Sequence, residues 1–382
     1  MTNRNDKLHA ARRSLCSGAL AVGTVVLAGV CAPATAADFN LNALIEAAKA
    51  EEPITVYAST GKIKTAAKAF SEKYGIQATG QKVKGAAQIE MVLRENQSKN
   101  VIGDVLISSD AAVTLTELVP AGIVYSWLPP DLAGTIPADS QDPVVIWRDP
   151  AIWSYNSDKY DSCPVDNIWA LTEPAWNRRV ALSDPLNKPG YVDWFNQMET
   201  HWDQAVADAY EAHFGKKLDT SKQSATASWV QALAANAPLL TDSDSAAAEA
   251  IGTPGQADPF MGLVSSAKYR DTVDGGLTMA ICKDMKPYVG FANPSYGLIA
   301  AETDSPNTAK LFLHFMLTEE GVSPMTKDGK VSGNAAVPSH PKEASGVAML
   351  ADRLTPHNAS TGGDDFDRRQ DWQDFWRVNY KR

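Results

Sequence analysis

Four short stretches carry side chains that could hold an anion without a metal: Ser59-Thr60-Gly61-Lys62, Ser108-Ser109-Asp110, Ser243-Asp244 and Ser265-Ser266. Hydroxyls donate to phosphate or carboxylate oxygens, and a lysine adds a charge-assisted bond. Where such a stretch opens a helix, the unpaired N–H groups of the first turn add further donors. Tyr191, at the end of the run Asp184-Pro185-Leu186-Asn187-Lys188-Pro189-Gly190-Tyr191, is a fifth candidate contact. Enzyme chemistry has no comparable support. Gly61-Lys62 lacks the upstream glycine of a phosphate-binding P-loop, and HExxH, GxSxG and CxxC are absent. His201, His213, His314, His340 and His357 are scattered without ligand spacing, and the His201 and Asp203 pair around Trp202 reads as a solvated helix face. A secreted phosphatase would need a metal cluster or an activated nucleophile; the sequence offers neither.

The elements that must position these residues follow a βα rhythm. Ile54, Val56 and Ala58 alternate as in a strand, and from Ile63 the apolar residues Ala66, Ala67, Phe70 and Tyr74 fall at helical spacing, with Ser59 or Thr60 as the N-cap. Read alone, that stretch is an ordinary capped turn. Strands are expected at 77–83, at Gly103-Asp104-Val105-Leu106-Ile107, at Arg179-Val180-Ala181-Leu182-Ser183 and at 260–264, with helices at 87–97, 246–251 and 305–321. In an open parallel sheet the carboxyl ends of such strands share one edge, where ligands bind. Two apolar segments, 144–155 and 288–301, read as strands crossing between two halves. Trp147 and Trp153 on the first read as core before they read as stacking platforms. The tail 366–380 reads as a last amphipathic helix, remote from the cleft.

The first 36 residues read as an export signal: Arg4, Lys7, Arg12 and Arg13, an apolar run from Leu15 to Val30, and Ala34-Thr35-Ala36 for cleavage. Arg12-Arg13 leaves twin-arginine export open, and Leu27 to Cys31 leaves lipoprotein anchoring open; release into the periplasm is the expectation. Cleavage leaves 346 of 382 residues, enough for two α/β lobes, and takes the net charge from −10 to −13, because four basic residues and Asp6 are lost. Nucleic acid and anionic membranes are then poor partners. Cys163 and Cys282 remain; an oxidising compartment permits a bridge, and two buried thiols are the alternative.

The stretches YASTGKIKTAAKAF, GDVLISSDAA, LTEPAWNRRVALSDP and AKLFLHFMLTEEG, in that order behind an export signal, resemble the periplasmic substrate-binding proteins of ABC importers, in the branch that takes ferric ion, thiamine, hexose phosphates or pyridoxal phosphate. The resemblance spans nearly the whole mature chain. It implies an α/β, two-lobed periplasmic binding protein fold of type II, each lobe a sheet flanked by helices and joined by hinge strands, with lobe 1 at 37–145 and 288–341, lobe 2 at 146–287 and a tail at 342–382 returning to lobe 2. It implies a monomer that hands a solute to an inner-membrane ABC permease and its ATPase. Ferric members use a His, a Glu and an adjacent Tyr pair where this chain has Ser59 to Lys62, Ser109-Asp110 and Ser265-Ser266, so an iron site is not expected, and no cofactor or metal is. The expected ligand is a sugar phosphate or pyridoxal phosphate, with phosphate at Ser59, Thr60, Gly61 and Lys62, helped by Ser108, Ser109 and Asp110. Tyr191, Ser243, Asp244, Ser265 and Ser266 would meet the remainder. The hexose-phosphate members carry a His-Asp pair where this chain has Ser243-Asp244, and RRQDWQDFW is similar to the end of thiamine binders, so thiamine or its phosphate stays open.

Overall fold

The computed structural model describes residues 39–381, so the expected signal segment lies outside the described residues. Among the described residues no helix is long and apolar enough to cross a membrane. In chain order the elements are α1 (Leu41–Ala48), β1 (Ile54–Ala58), α2 (Ile63–Tyr74), β2 (Ala78–Lys82), α3 (Gly85–Ser98), β3 (Val105–Ser108), α4 (Ala111–Val113), β4 (Val124–Ser126), β5 (Val145–Asn156), β6 (Val180–Ser183), α5 (Pro189–His201), α6 (Asp203–Phe214) and α7 (Ala225–Ala235). They continue with β7 (Leu239–Thr241), α8 (Asp244–Gly252), β8 (Met261–Ser265), β9 (Met279–Ile281), β10 (Gly290–Ala300), α9 (Pro306–Met316), α10 (Glu319–Thr326), β11 (Val331–Ser332), β12 (Leu354–Thr355) and α11 (Gly362–Asn379).

The strands form one mixed sheet in the order β2-β1-β3-β10-β5-β8-β6-β7. Each end of that order is a small parallel sheet: β1 lies between β2 and β3, and β6 between β7 and β8. Between them β5 and β10 run antiparallel, with Asp149 opposite Asn293 midway. Beyond that point β10 pairs with β3 through Tyr296 to Ile299, and β5 pairs with β8 through Ala151 to Ser154. The two long strands thus belong to both halves and join them, as the apolar segments 144–155 and 288–301 suggest.

Burial on both faces explains why the strands read as continuous apolar runs. In the first lobe Val56, Val105 and Ile107 pack against α1, α2, α9 and α10, whereas Tyr57 and Leu106 face α3. The second lobe has an aromatic core in which Trp153, Trp194, Phe195, Trp229 and Phe291 meet edge-on or stacked. Trp147 and Trp153 are each 1% exposed and are core residues. Cys163 and Cys282 are bonded, with Cα atoms 5.1 Å apart and a sequence separation of 119.

Two expectations change. The helix expected over 305–321 is two helices, because the Thr318 hydroxyl accepts from Gly321 N–H and starts α10 afresh. The tail also reaches the first lobe: Trp372 and Trp376 of α11 are buried in the second-lobe core, while Phe366 packs on the first. Asp203, read as solvated, accepts from the N–H groups of Ala225 and Thr226 and holds the start of α7.

Candidate solute cleft

The parallel strands β6, β7 and β8 end at Ser183, Thr241 and Ser265 on one edge, and each end turns into a helix. This geometry gathers charge that is dispersed in sequence. Asp244, in the first turn of α8, accepts both oxygens' worth of bonds from Lys188 Nζ, at 2.7 and 2.9 Å, and a further one from Ser183 Oγ at 3.0 Å. Lys188 precedes Pro189 at the start of α5, where Gly190 lies so close to the crossing strand that a Cβ would sit 2.5 Å from the Asn293 amide.

After β8 the 3-10 helix Ser266–Thr272 presents Lys268 and Arg270. Arg270 Nη1 donates to both oxygens of Asp328 at 2.8 Å, and Lys62 Nζ reaches the same carboxylate at 3.7 Å from the first lobe. Asp149, at the crossing point of the hinge strands, accepts from Lys330 Nζ and from Ser265 Oγ. Burial alone would raise the Asp149 carboxyl, but Lys330, Lys188 and Ser265 outweigh it and hold it below the usual carboxylate range. Lys268 differs from its neighbours. Its direct partner among the described residues is the Ser245 hydroxyl, at 2.7 Å, rather than a carboxylate. Burial, and then the Arg270 guanidinium, lower its ammonium below the ordinary value against the pull of Asp244, Asp271 and Asp328. Five cations, Lys62, Lys188, Lys268, Arg270 and Lys330, thus share the edge with four carboxylates, Asp149, Asp244, Asp271 and Asp328. Asp184 and Asp242 follow Ser183 and Thr241 at the same strand ends, so cations and carboxylates are interleaved there without a positive excess.

The first-lobe edge is built differently. The turn Ser59 to Lys62 satisfies itself: Thr60 Oγ1 accepts from Lys62 N–H, and the N–H groups of Ile63 and Lys64 donate to the carbonyls of Thr60 and Gly61. The helix starts at Ile63, where the period places it, but the cap position is Lys62 rather than Ser59 or Thr60, with no side-chain cap bond. Ser59, Thr60 and Lys62 remain partly exposed and Gly61 exposed, so their side chains stay available while those amides do not. Ser108 has no exposure; its oxygen accepts from Thr114 Oγ1 and from Asp110 N–H, which makes it a support for the turn. Ser109 lines a small cavity with Asp193, Asn293 and His357. Asp110 caps α4 through Val113 N–H and pairs with Arg369 of α11, which also pairs with Asp193 of α5. Burial pushes the Asp193 carboxyl up to about 7 even against Arg369.

Three further expected contacts have partners within the protein. Tyr191 is fully buried and its hydroxyl donates to the Leu263 carbonyl, so no face of it is open to a solute. Ser266, 1% exposed, donates to the Gly329 carbonyl. Ser243 caps α8 by accepting from Ala246 N–H. The structure thus brings Lys62, Asp244 and Ser265 into one charged edge and turns Ser108, Tyr191 and Ser266 inward. It adds Ser183, Lys188, Ser245, Lys268, Arg270, Asp328 and Lys330, which sequence reasoning missed. The available signal was the basic pair Lys268 and Arg270 directly after a hydroxyl-ended strand. Among the described residues, no group of three or more His, Cys, Asp or Glu is arranged to hold a metal ion.

The sequence matches the bacterial extracellular solute-binding protein family over residues 54–330. Compared with curated protein sequences, it has no match. Among solved structures it is similar to iron-bound HitA from Pseudomonas aeruginosa, at 16% identity and a TM-score of 0.63, covering 86% of this chain and 99% of that one. It is also similar to the substrate-binding protein of an ABC transporter from Agrobacterium tumefaciens, at 14% identity and a TM-score of 0.64, covering 86% and 95%. A third similar structure is the periplasmic binding protein AfuA from Actinobacillus pleuropneumoniae with fructose-6-phosphate bound, at 16% identity and a TM-score of 0.60, covering 86% and 98%.

Proposed function

The chain belongs to the bacterial extracellular solute-binding proteins, binding proteins rather than enzymes, and we propose that it captures a small phosphorylated or otherwise anionic organic solute between its two lobes. In this reading the lobes comprise 37–145 with 288–341 and 146–287, the C-terminal tail lies across both, and the loaded protein delivers its solute outside the cytoplasm to an ABC permease driven by its ATPase. The observation that carries the ligand class is Lys268: a half-buried ammonium at the strand-end edge, bonded to a hydroxyl and facing no carboxylate partner of its own. A phosphate or carboxylate placed there gives Lys268 an anionic partner in addition to its hydroxyl contact, and Ser245 and Lys62 supply further donors. AfuA holds a sugar phosphate on the same fold, whereas HitA holds iron. Ferric ion needs hard anionic oxygens free of cationic partners; the carboxylates Asp244, Asp328 and Asp149 at this edge are paired with Lys188, Arg270 and Lys330.

The test is calorimetry on chelator-treated protein with inorganic phosphate, glucose-6-phosphate, pyridoxal phosphate, thiamine phosphate, a phosphonate and ferric citrate. The expected result is tight binding of at least one phosphorylated organic compound, weakened as ionic strength rises. Binding of iron with no response to any anion overturns the reading.

A further inference from the structure

The C-terminal helix crosses between the lobes a third time, after β5 and β10. Trp372 and Trp376 fix α11 in the second-lobe core, and Gly362 approaches Leu115 of the first lobe so closely that a Cβ would lie 2.5 Å from its side chain. Midway along α11, Arg369 holds both lobes at once. Its Nε and Nη2 donate to the two oxygens of Asp193 on α5, at 2.9 and 2.7 Å. Its Nη2 and Nη1 donate to the two oxygens of Asp110, at 2.8 and 3.3 Å. The three side chains are 11–15% exposed, so water competes little for these bonds. Asp110 moves with β3 and α4, whereas Arg369 and Asp193 move with the tryptophan-anchored helix and α5. Separating the lobes must therefore draw Asp110 away from Arg369 and rehydrate both.

We propose that Arg369 is an interlobe clasp, a positioning residue that favours the closed cleft and slows escape of a captured solute without touching it. The inference rests on the solute-capture reading only for what is retained; the clasp itself is a property of the empty protein. A ligand gains from closure only what the two states differ by, so the clasp acts through the open–closed equilibrium.

The experiment compares wild-type mature protein with Arg369→Gln, Asp110→Asn and the double variant. Small-angle scattering of the empty proteins reads lobe separation, and stopped-flow release of pyridoxal phosphate reads retention. Both single variants are expected to enlarge the radius of gyration and to speed release about fivefold to twentyfold with association within twofold, and the double variant to go no further than either single one. Should Arg369→Gln fail to fold, Asp110→Asn leaves Arg369 on Asp193 and carries the test alone. Unchanged scattering in Asp110→Asn, or effects that add in the double variant, overturn the clasp. If no phosphorylated compound binds the wild type, the solute reading fails, and scattering of the empty proteins still decides the clasp.

Discussion

The two strand-end edges that face each other across the hinge are built on different principles. The first-lobe edge, Ser59 to Lys62 and Ser108 to Asp110, spends the Thr60 and Ser108 oxygens and several amides on its own turns and carries Lys62, with Lys82 beside Gly61. The second-lobe edge interleaves ammonium, guanidinium and carboxylate groups from α5, α8 and the segment after β8, is met by Asp328 from the first-lobe segment 288–341, and is backed by an aromatic core and a disulfide. In the reading proposed above, the second lobe supplies most of the ion-paired groups that select the solute, and the first lobe completes its enclosure.

If the second lobe is the rigid seat, its staple matters most. Closing a loop of this length is worth about 5 kcal/mol in the chain-entropy model. Cys163→Ala with Cys282→Ala is expected to lose about that much stability, with amide exchange accelerating first around β6 and β8 rather than β1 and β3. Loss spread equally over both lobes would break the comparison. A smaller effect is expected at the joint between them. Burial, then Arg148 and His201, lower the His357 imidazole to about 4 against the opposing pull of Asp139, and its Nε2 is buried without a partner. A base depressed on folding stays neutral in the native state, so its stability contribution is present above pH 6.5 and lost as pH falls through about 4, by up to about 3 kcal/mol. Denaturant melts across that window should show a steeper acid loss in wild type than in His357→Gln; parallel curves would remove His357 from the account.

What was legible in the sequence tracks what is local. Strand periods, the hydroxyl-ended strands and the crossing segments depend on neighbours a few residues away, and β1, β3, β6, β8, β5 and β10 all form where the pattern places them. The charged seat depends on pairs 56 to 181 residues apart, such as Lys188 with Asp244 and Lys330 with Asp149, which no spacing rule reports. Lys268 and Arg270 are not singled out by the sequence, because nothing in Ser265-Ser266-Ala267-Lys268-Tyr269-Arg270 reveals that three strand ends converge there. Tyr191 sits one turn into α5, where the same residue could face solvent or core; only the packing of α5 on Phe291 settles it. In α11 the charged residues surround buried Trp372 and Trp376 on nearly all sides, so Arg369 gave no sign that it was paired.

The difference between the edges is sharpened by comparing one lysine from each. Lys268→Ala removes a half-buried donor without breaking an ion pair and should weaken a phosphorylated ligand by about 2 kcal/mol, roughly thirtyfold. Lys62, with its side chain 42% exposed and its ammonium 3.7 Å from Asp328, should matter less, below about 1 kcal/mol on mutation to alanine. Titration of both variants decides the order. A larger loss at Lys62 would return the anion to the Ser59 to Lys62 turn and make the first lobe the seat.

The smallest effect has the most informative sign. Asp244 now neutralises Lys188, and both are partly exposed, so Asp244→Asn should cost little stability. Freed of its carboxylate, Lys188 turns its charge toward the cleft, and inorganic phosphate should bind about threefold to fivefold tighter, with a steeper loss as salt is added. Iron would respond oppositely, because a hard anionic oxygen has been removed. If instead inorganic phosphate is unaffected while a sugar phosphate binds more weakly, Asp244 meets the hydroxyls of the organic part. Lys188 would then be its fixed partner, and the second-lobe edge would read both ends of the solute rather than its charge alone.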